Sequence, residues 1–234
     1  MSVHSAYAPA VSGPSEARLA FLRRVGLWTF GGLSLAAVVA VVSMFTVAPL
    51  ILQVRFGAVA GIFGSFLFAH YFCRRLVYGD QKVAGFVMAS IAEGFSFGFL
   101  LLVTIFYAGP GEVGTGLGIV AQGMALTAAT ALGLLVYVWF NKSDLSMVKA
   151  GLSVIGIPML LLMVLQLVWP IGGVFGLVMC GAFVVVSGAS LLYALHVVVH
   201  EMEDSMHVEA AYEITMKLLV LLWNMIQLLN RLRR

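Results

Sequence analysis

Long stretches of this chain carry no Asp, Glu, Lys or Arg, and that confines it to a lipid environment. The stretches are Val25–Val54, Phe56–Cys73, Val83–Gly111 (broken only by Glu93), Val113–Asn141 and Ala150–His200. A helix that crosses a bilayer needs about 20 apolar residues. Within lipid every backbone N–H and C=O must be bonded inside the chain, which leaves helices for segments of this length. The last stretch is long enough for two helices and holds Trp169-Pro170 and Gly172-Gly173 near its middle. It reads as two helices joined by a short turn, giving at least six spans.

Charge content agrees. Only 10% of the residues are charged, against about 25% in soluble domains, and the mean hydropathy is +1.07. A net charge of +3 gives no footing for nucleic acid. Cys73 and Cys180 lie in apolar segments without a CxxC spacing, so packing is their expected role. Residues 1–17 are small, polar and Pro-containing and read as a flexible N-terminal tail ahead of a transmembrane domain over 18–234.

The expected spans are 25–48, 55–74, 83–108, 116–140, 148–168 and 172–199. Arg18, Arg23 and Arg24 precede the first, Arg74, Arg75 and Lys82 follow the second, and Lys142 and Lys149 follow the fourth. The remaining loops hold Arg55, Glu112 and no charge. The excess of basic residues places the N-terminus and the even-numbered loops in the cytoplasm. Small residues recur at spacings of three, four and seven, as in Gly57/Gly61/Ser65, Gly94/Gly98 and Gly181/Gly188 with Ser187. Such faces let helices approach closely in lipid. Pro158 is expected to kink the fifth span.

The end of the chain is less regular. An acidic segment, 200–213, precedes Ile214–Leu229, which is apolar apart from Lys217, Asn224 and Gln227. Glu213 and Lys217 form an i,i+4 pair, with Glu209 one turn earlier. The clean apolar part, Leu218–Leu229, is too short for a lipid-facing span. It suits a seventh helix enclosed by the others, or a re-entrant segment. The basic cluster at the terminus favours a cytoplasmic end, whereas a seventh crossing places it outside.

Glu93 is the candidate site. A carboxylate at that depth is costly unless it is neutral, paired or facing water. It is either a structural carboxyl bonded to a residue such as Gln122, Thr127 or Asn224, or a cation- or proton-binding acid facing a cavity. Asn224 and Gln227, one turn apart, are either interhelical hydrogen-bond partners or ligands on an ion pathway. His196 and His200 share a helix face, and with Glu201, Glu203, Asp204, His207 and Glu209 they form a dense His/acid cluster. That cluster is a solvated loop, a metal site or a pH sensor. His200-Glu201 begins like HExxH, but Asp204 stands where the second histidine would be, so the zinc-protease signature fails. Neither a nucleophile elbow nor a P-loop is present, and no enzymatic activity is expected.

The order of these landmarks resembles the Bax inhibitor-1 family. FLRRVGLWTFGGLSL at Phe21–Leu35 is similar to its basic entry into helix one. AEGFSFGFLL at Ala92–Leu101 is similar to its Glu-Gly motif in helix three. ALTAATALGLLVYVWFNKSDLS at Ala125–Ser146 resembles helix four and the loop after it. VVSGASLLYALHVV at Val185–Val198 and LLWNMIQLLNRLRR at the end resemble helices six and seven. The resemblance implies an all-α membrane bundle of seven helices, six around a C-terminal helix that is spanning or re-entrant. It also implies a bacterial inner-membrane location.

On function the resemblance implies two alternatives. One is a calcium or cation leak, with Ca2+ as the transported ion and no other cofactor. The other is a non-conducting partner that modulates another membrane complex, such as a membrane-bound protease. Relatives with a proposed leak carry an aspartate in helix six and another in helix seven, latched by an arginine after helix two. The matching positions here are Ala194 and Asn224, and the arginine is Arg74 or Arg75. The di-aspartate latch is therefore missing, which leaves Glu93 as the acid on any pathway.

Overall fold

The computed structural model describes residues 16–54, 56–107, 113–141, 145–168 and 172–233. Helix α1 covers Glu16–Phe45 and a short α2 covers Val47–Leu52. Helix α3, Gly57–Leu67, runs through a π-helical turn at Phe68–Cys73 into α4, Arg74–Val77. Helix α5, Lys82–Leu102, likewise ends in a π-helical turn, Val103–Tyr107. Then come α6 at Val113–Phe140, α7 at Ser146–Val168, α8 at Gly173–His200 and α9 at His207–Leu232. Among the described residues the ordered elements are all helical, and five of the helices are long and apolar enough to cross a membrane.

The expected spans correspond to these helices with ends moved by a few residues, and one boundary moves further. Helix α1 starts at Glu16, inside the expected tail, so Arg18, Arg23 and Arg24 are helical. The basic residues Arg55 and Lys142, Glu112, the Trp169-Pro170 turn and residues 1–15 of the tail lie outside the described residues. Helix α7 continues through Pro158.

The interior is built on α5. In its best apolar window 61% of α5 is buried, against 17% for α6, so α5 is a core helix and α6 a lipid-facing one. Small residues make this seam. A Cβ on Gly94 would stand 2.5 Å from the Ala36 carbonyl, and one on Gly98 would stand 2.6 Å from the Ser43 side chain. Helices α1 and α5 therefore touch backbone to backbone, the contact that dispersion forces favour in lipid. The ring of Phe86 packs over Gly32 and meets Trp28 edge-on at 5.8 Å. Not every glycine pattern is a seam. A Cβ on Gly181 or Gly188 would meet nothing within 4 Å, because that face of α8 has no helix against it.

Helix α9 is long and apolar enough to cross a membrane. It is one unbroken helix of 26 residues, about 39 Å at 1.5 Å per residue. It lies beside α5 in the same direction: Lys82 Nζ is 2.5 Å from Glu209 Oε1 at one end, and Asn230 Nδ2 donates to Thr104 Oγ1 at 2.9 Å at the other. Arg233 at its end donates to Gln122 of α6 at 3.0 Å. The segment follows α5 from end to end and does not turn back. Its short apolar core suffices because its polar side chains meet protein. Helix α9 packs on α1, α4, α5, α6 and α8.

Candidate functional site

A cavity of about 710 Å³ lies between α3, α5, α7, α8 and α9. Its exposed lining residues, Arg74, Tyr78, Lys149 and Glu201, sit at the end of the bundle that holds the α4–α5 and α8–α9 loops. From there it reaches Glu93, eleven residues into α5 and so about 16 Å along it. Phe97 and Trp223, edge-on at 5.6 Å, line its inner end. Beyond them Ile226 packs against Gly123.

Glu93 is 4% exposed; among the described residues its Oε1 makes no hydrogen bond, and the base beside it is His70, not Gln122, Thr127 or Asn224. His70 Nδ1 stands 3.3 Å from Glu93 Oε1 and 3.1 Å from the Phe66 carbonyl. The imidazole also stacks on the Phe66 ring at 4.1 Å. The π-helical turn Phe68–Cys73 positions it. A π turn inserts one residue into the helical register, and such turns are frequent at functional sites. The Ala69 carbonyl in that turn accepts a hydrogen bond from Tyr212 Oη of α9 at 2.9 Å. Ser65 and Ser96 join hydroxyls across α3 and α5 one turn from Glu93. The proximity of His70 to Glu93 is not legible in the sequence, because nothing in the spacing of His70 shows that it faces α5.

The second cluster lies nearer the mouth. Glu213 of α9 accepts a hydrogen bond from Tyr78 Oη at 2.9 Å and lies 3.5 Å from Arg74 Nη2. Tyr78, in the loop outside the helices, is raised well above the usual phenol range by burial and by the Glu213 carboxylate. Arg74, not Arg75, faces the cavity, while Arg75 is exposed elsewhere. Glu209, one turn before Glu213, is 2% exposed and is paired with Lys82. At the same end Arg18 donates to the carbonyls of Val198 at 2.6 Å and Met202 at 2.7 Å, and pairs with Asp204 at 2.7 Å. It thus satisfies terminal carbonyls of α8 and joins them to α1.

The two positions where the resemblance lacks its aspartates, Ala194 and Asn224, both line this cavity, whereas Gln227 is not among its lining residues. Lys217, two turns before Asn224 on α9, also lines it. The histidine cluster divides. The rings of His196 and His200 lie 4.9 Å apart, with His196 Nε2 3.6 Å from Glu201 Oε1 and His200 Nε2 3.0 Å from the Val138 carbonyl. His207 begins α9. Among the described residues no three His, Cys, Asp or Glu side chains gather where a metal ion could sit.

A helical bundle with five helices long and apolar enough to cross a membrane is that of an integral membrane protein. The family model described as "Inhibitor of apoptosis-promoting Bax1" matches residues 18–234, nearly the whole chain, and the protein belongs to the Bax inhibitor-1 family. No curated protein matches it at a significant level.

Proposed function

We propose that this protein is a non-conducting member of its family, a non-enzymatic membrane partner that modulates another membrane complex such as a membrane-bound protease. One observation carries the reading: each acid lining the cavity already faces a base or donor of the protein. Glu93 faces His70, Glu213 faces Arg74 and Tyr78, and Glu201 faces His196. A calcium ion needs six to eight oxygen ligands, several of them carboxylates. At the two family aspartate positions Ala194 and Asn224 supply neither charge nor a coupled pair, and Lys217 puts a cation into the same space. The arrangement we infer is a seven-helix bundle in a bacterial inner membrane with α9 enclosed by the other six. The N-terminus and the cavity mouth face the cytoplasm, as the basic loops favour.

The test is calcium flux into proteoliposomes at pH 6 and pH 8 against protein-free vesicles. The reading expects no flux above the control at either value. Flux at both would overturn it in favour of a cation leak, the second reading, which the depth of Glu93 in a cavity favours. Glu93→Gln should then abolish the flux, and undiminished flux would remove Glu93 from the pathway.

A further inference from the structure

Lys217 lines the cavity, as Lys149 does at its mouth, and among the described residues its ammonium forms no hydrogen bond or ion pair, although Glu213 lies one helical turn before it. Glu213 has turned to Arg74 and Tyr78, and Glu93 to His70, so the nearby carboxylates are engaged elsewhere. Lys217 lies within electrostatic reach of Glu213, Arg74 and His70, and the one carboxylate among them is shared with Arg74 and Tyr78. An ammonium drawn out of bulk water without a counter-ion is costly. The walls around it are largely apolar, with Phe66, Phe97, Met159, Phe183 and Trp223 among them. Ser153 and Gly156 of α7 line the cavity and are exposed. They lie seven and ten residues into α7, roughly 10–15 Å from its start, at the depth of acyl chains. The cavity thus combines an ammonium without an ion pair of its own and apolar walls.

We propose that this cavity binds an amphiphile with a carboxylate head and a long apolar chain, Lys217 supplying the counter-charge and the aromatic wall taking the chain. The carboxylate completes the ion pair that Glu213 does not make, and the chain fills a volume within the range of small-molecule sites. The site rests on the cavity and not on the partner role, so it stands or falls separately from calcium flux.

The experiment is equilibrium binding of radiolabelled palmitate to the purified full chain in a non-ionic detergent, with butyrate and methyl palmitate as competitors. Saturable binding near one per chain is expected, displaced by unlabelled palmitate but not by butyrate or by the uncharged ester. Lys217→Met should weaken it about tenfold or more, the loss expected from removing a charged hydrogen bond, and Lys217→Arg should retain most of it. Absence of saturable binding, or equal binding by Lys217→Met, would overturn the proposal. Equal competition by methyl palmitate on the unaltered protein would overturn it too, whether or not the variants fold. Equal competition by butyrate would reduce the site to a small-anion site and refute the chain-binding part.

Discussion

The two halves of α9 lie in different surroundings, although one helix makes both. The first half carries Glu209, Glu213 and Lys217 beside Lys82, Arg74 and Tyr78, where the bundle is opened by the cavity. The second half carries Trp223, Ile226 and Asn230 against Phe97, Gly123 and Thr104, where helices are in contact. Glu209 and Glu213 sit where the protein supplies a cation for each. Close packing takes over where small residues allow backbones to meet. Any pathway along this helix would have to cross from one regime into the other at Phe97 and Trp223.

The largest expected effect comes from breaking the open half. Lys82→Met leaves the buried Glu209 carboxylate without its half-exposed partner, and leaving a buried charged acceptor unpaired costs about 2–3 kcal/mol. Thermal unfolding in detergent should show the loss. Adding Glu209→Leu should recover most of it, because two well-packed apolar residues can replace a buried pair at little cost. If the double variant stays as unstable as the single one, the pair does more than neutralise charge.

The helix seams beside the closed half are tested next. Gly94→Val forces a branched side chain toward the Ala36 carbonyl, and overpacking of this kind costs about 1–3 kcal/mol. Gly188→Val, where a Cβ meets nothing within 4 Å, should change the midpoint little. Equal effects at both positions would mean that α1 and α5 do not depend on their close approach.

These contacts also show what could be read from the chain alone. Helix positions were legible because charge-free runs of this length have few other fates in lipid. The depth of Glu93 was legible for the same reason. Its partner was not, since His70 reaches it only through a π-helical turn whose register no periodicity announces. Glu213 and Lys217 look like an i,i+4 pair on a helical wheel, yet tertiary partners at Arg74 and Tyr78 draw Glu213 away. Gly94/Gly98 and Gly181/Gly188 look alike as small-residue patterns, and only the neighbouring helix distinguishes them. Arg233 is held by Gln122 at the end of the bundle opposite Lys82, a contact that nothing in the sequence announces.

That sidedness can be measured directly. In a background with Cys73 and Cys180 replaced by Ala, Asn224→Cys should react with a small polar thiol reagent added on the side of the Tyr78 loop. Asn230→Cys should react, more slowly, only from the other side. Labelling of both from one side would mean that Phe97 and Trp223 do not divide the two halves.

The smallest effect concerns Tyr78 at the cavity mouth. Its hydroxyl donates to Glu213 while protonated, and its folded-state pKa is raised by burial first and by Glu213 second. A raised pKa means that this contribution is complete below the ordinary phenol value, about 10, and declines as pH rises through the folded-state value. The unaltered protein should therefore lose stability on that account only in strong alkali. Tyr78→Phe should lower the midpoint slightly at neutral pH, by about 1 kcal/mol for a hydrogen bond to a charged acceptor on a partly exposed residue. It should also flatten the alkaline limb of the stability profile. An unchanged alkaline limb in Tyr78→Phe would mean that Arg74 alone holds Glu213, and that the open half keeps its charge order without the phenol.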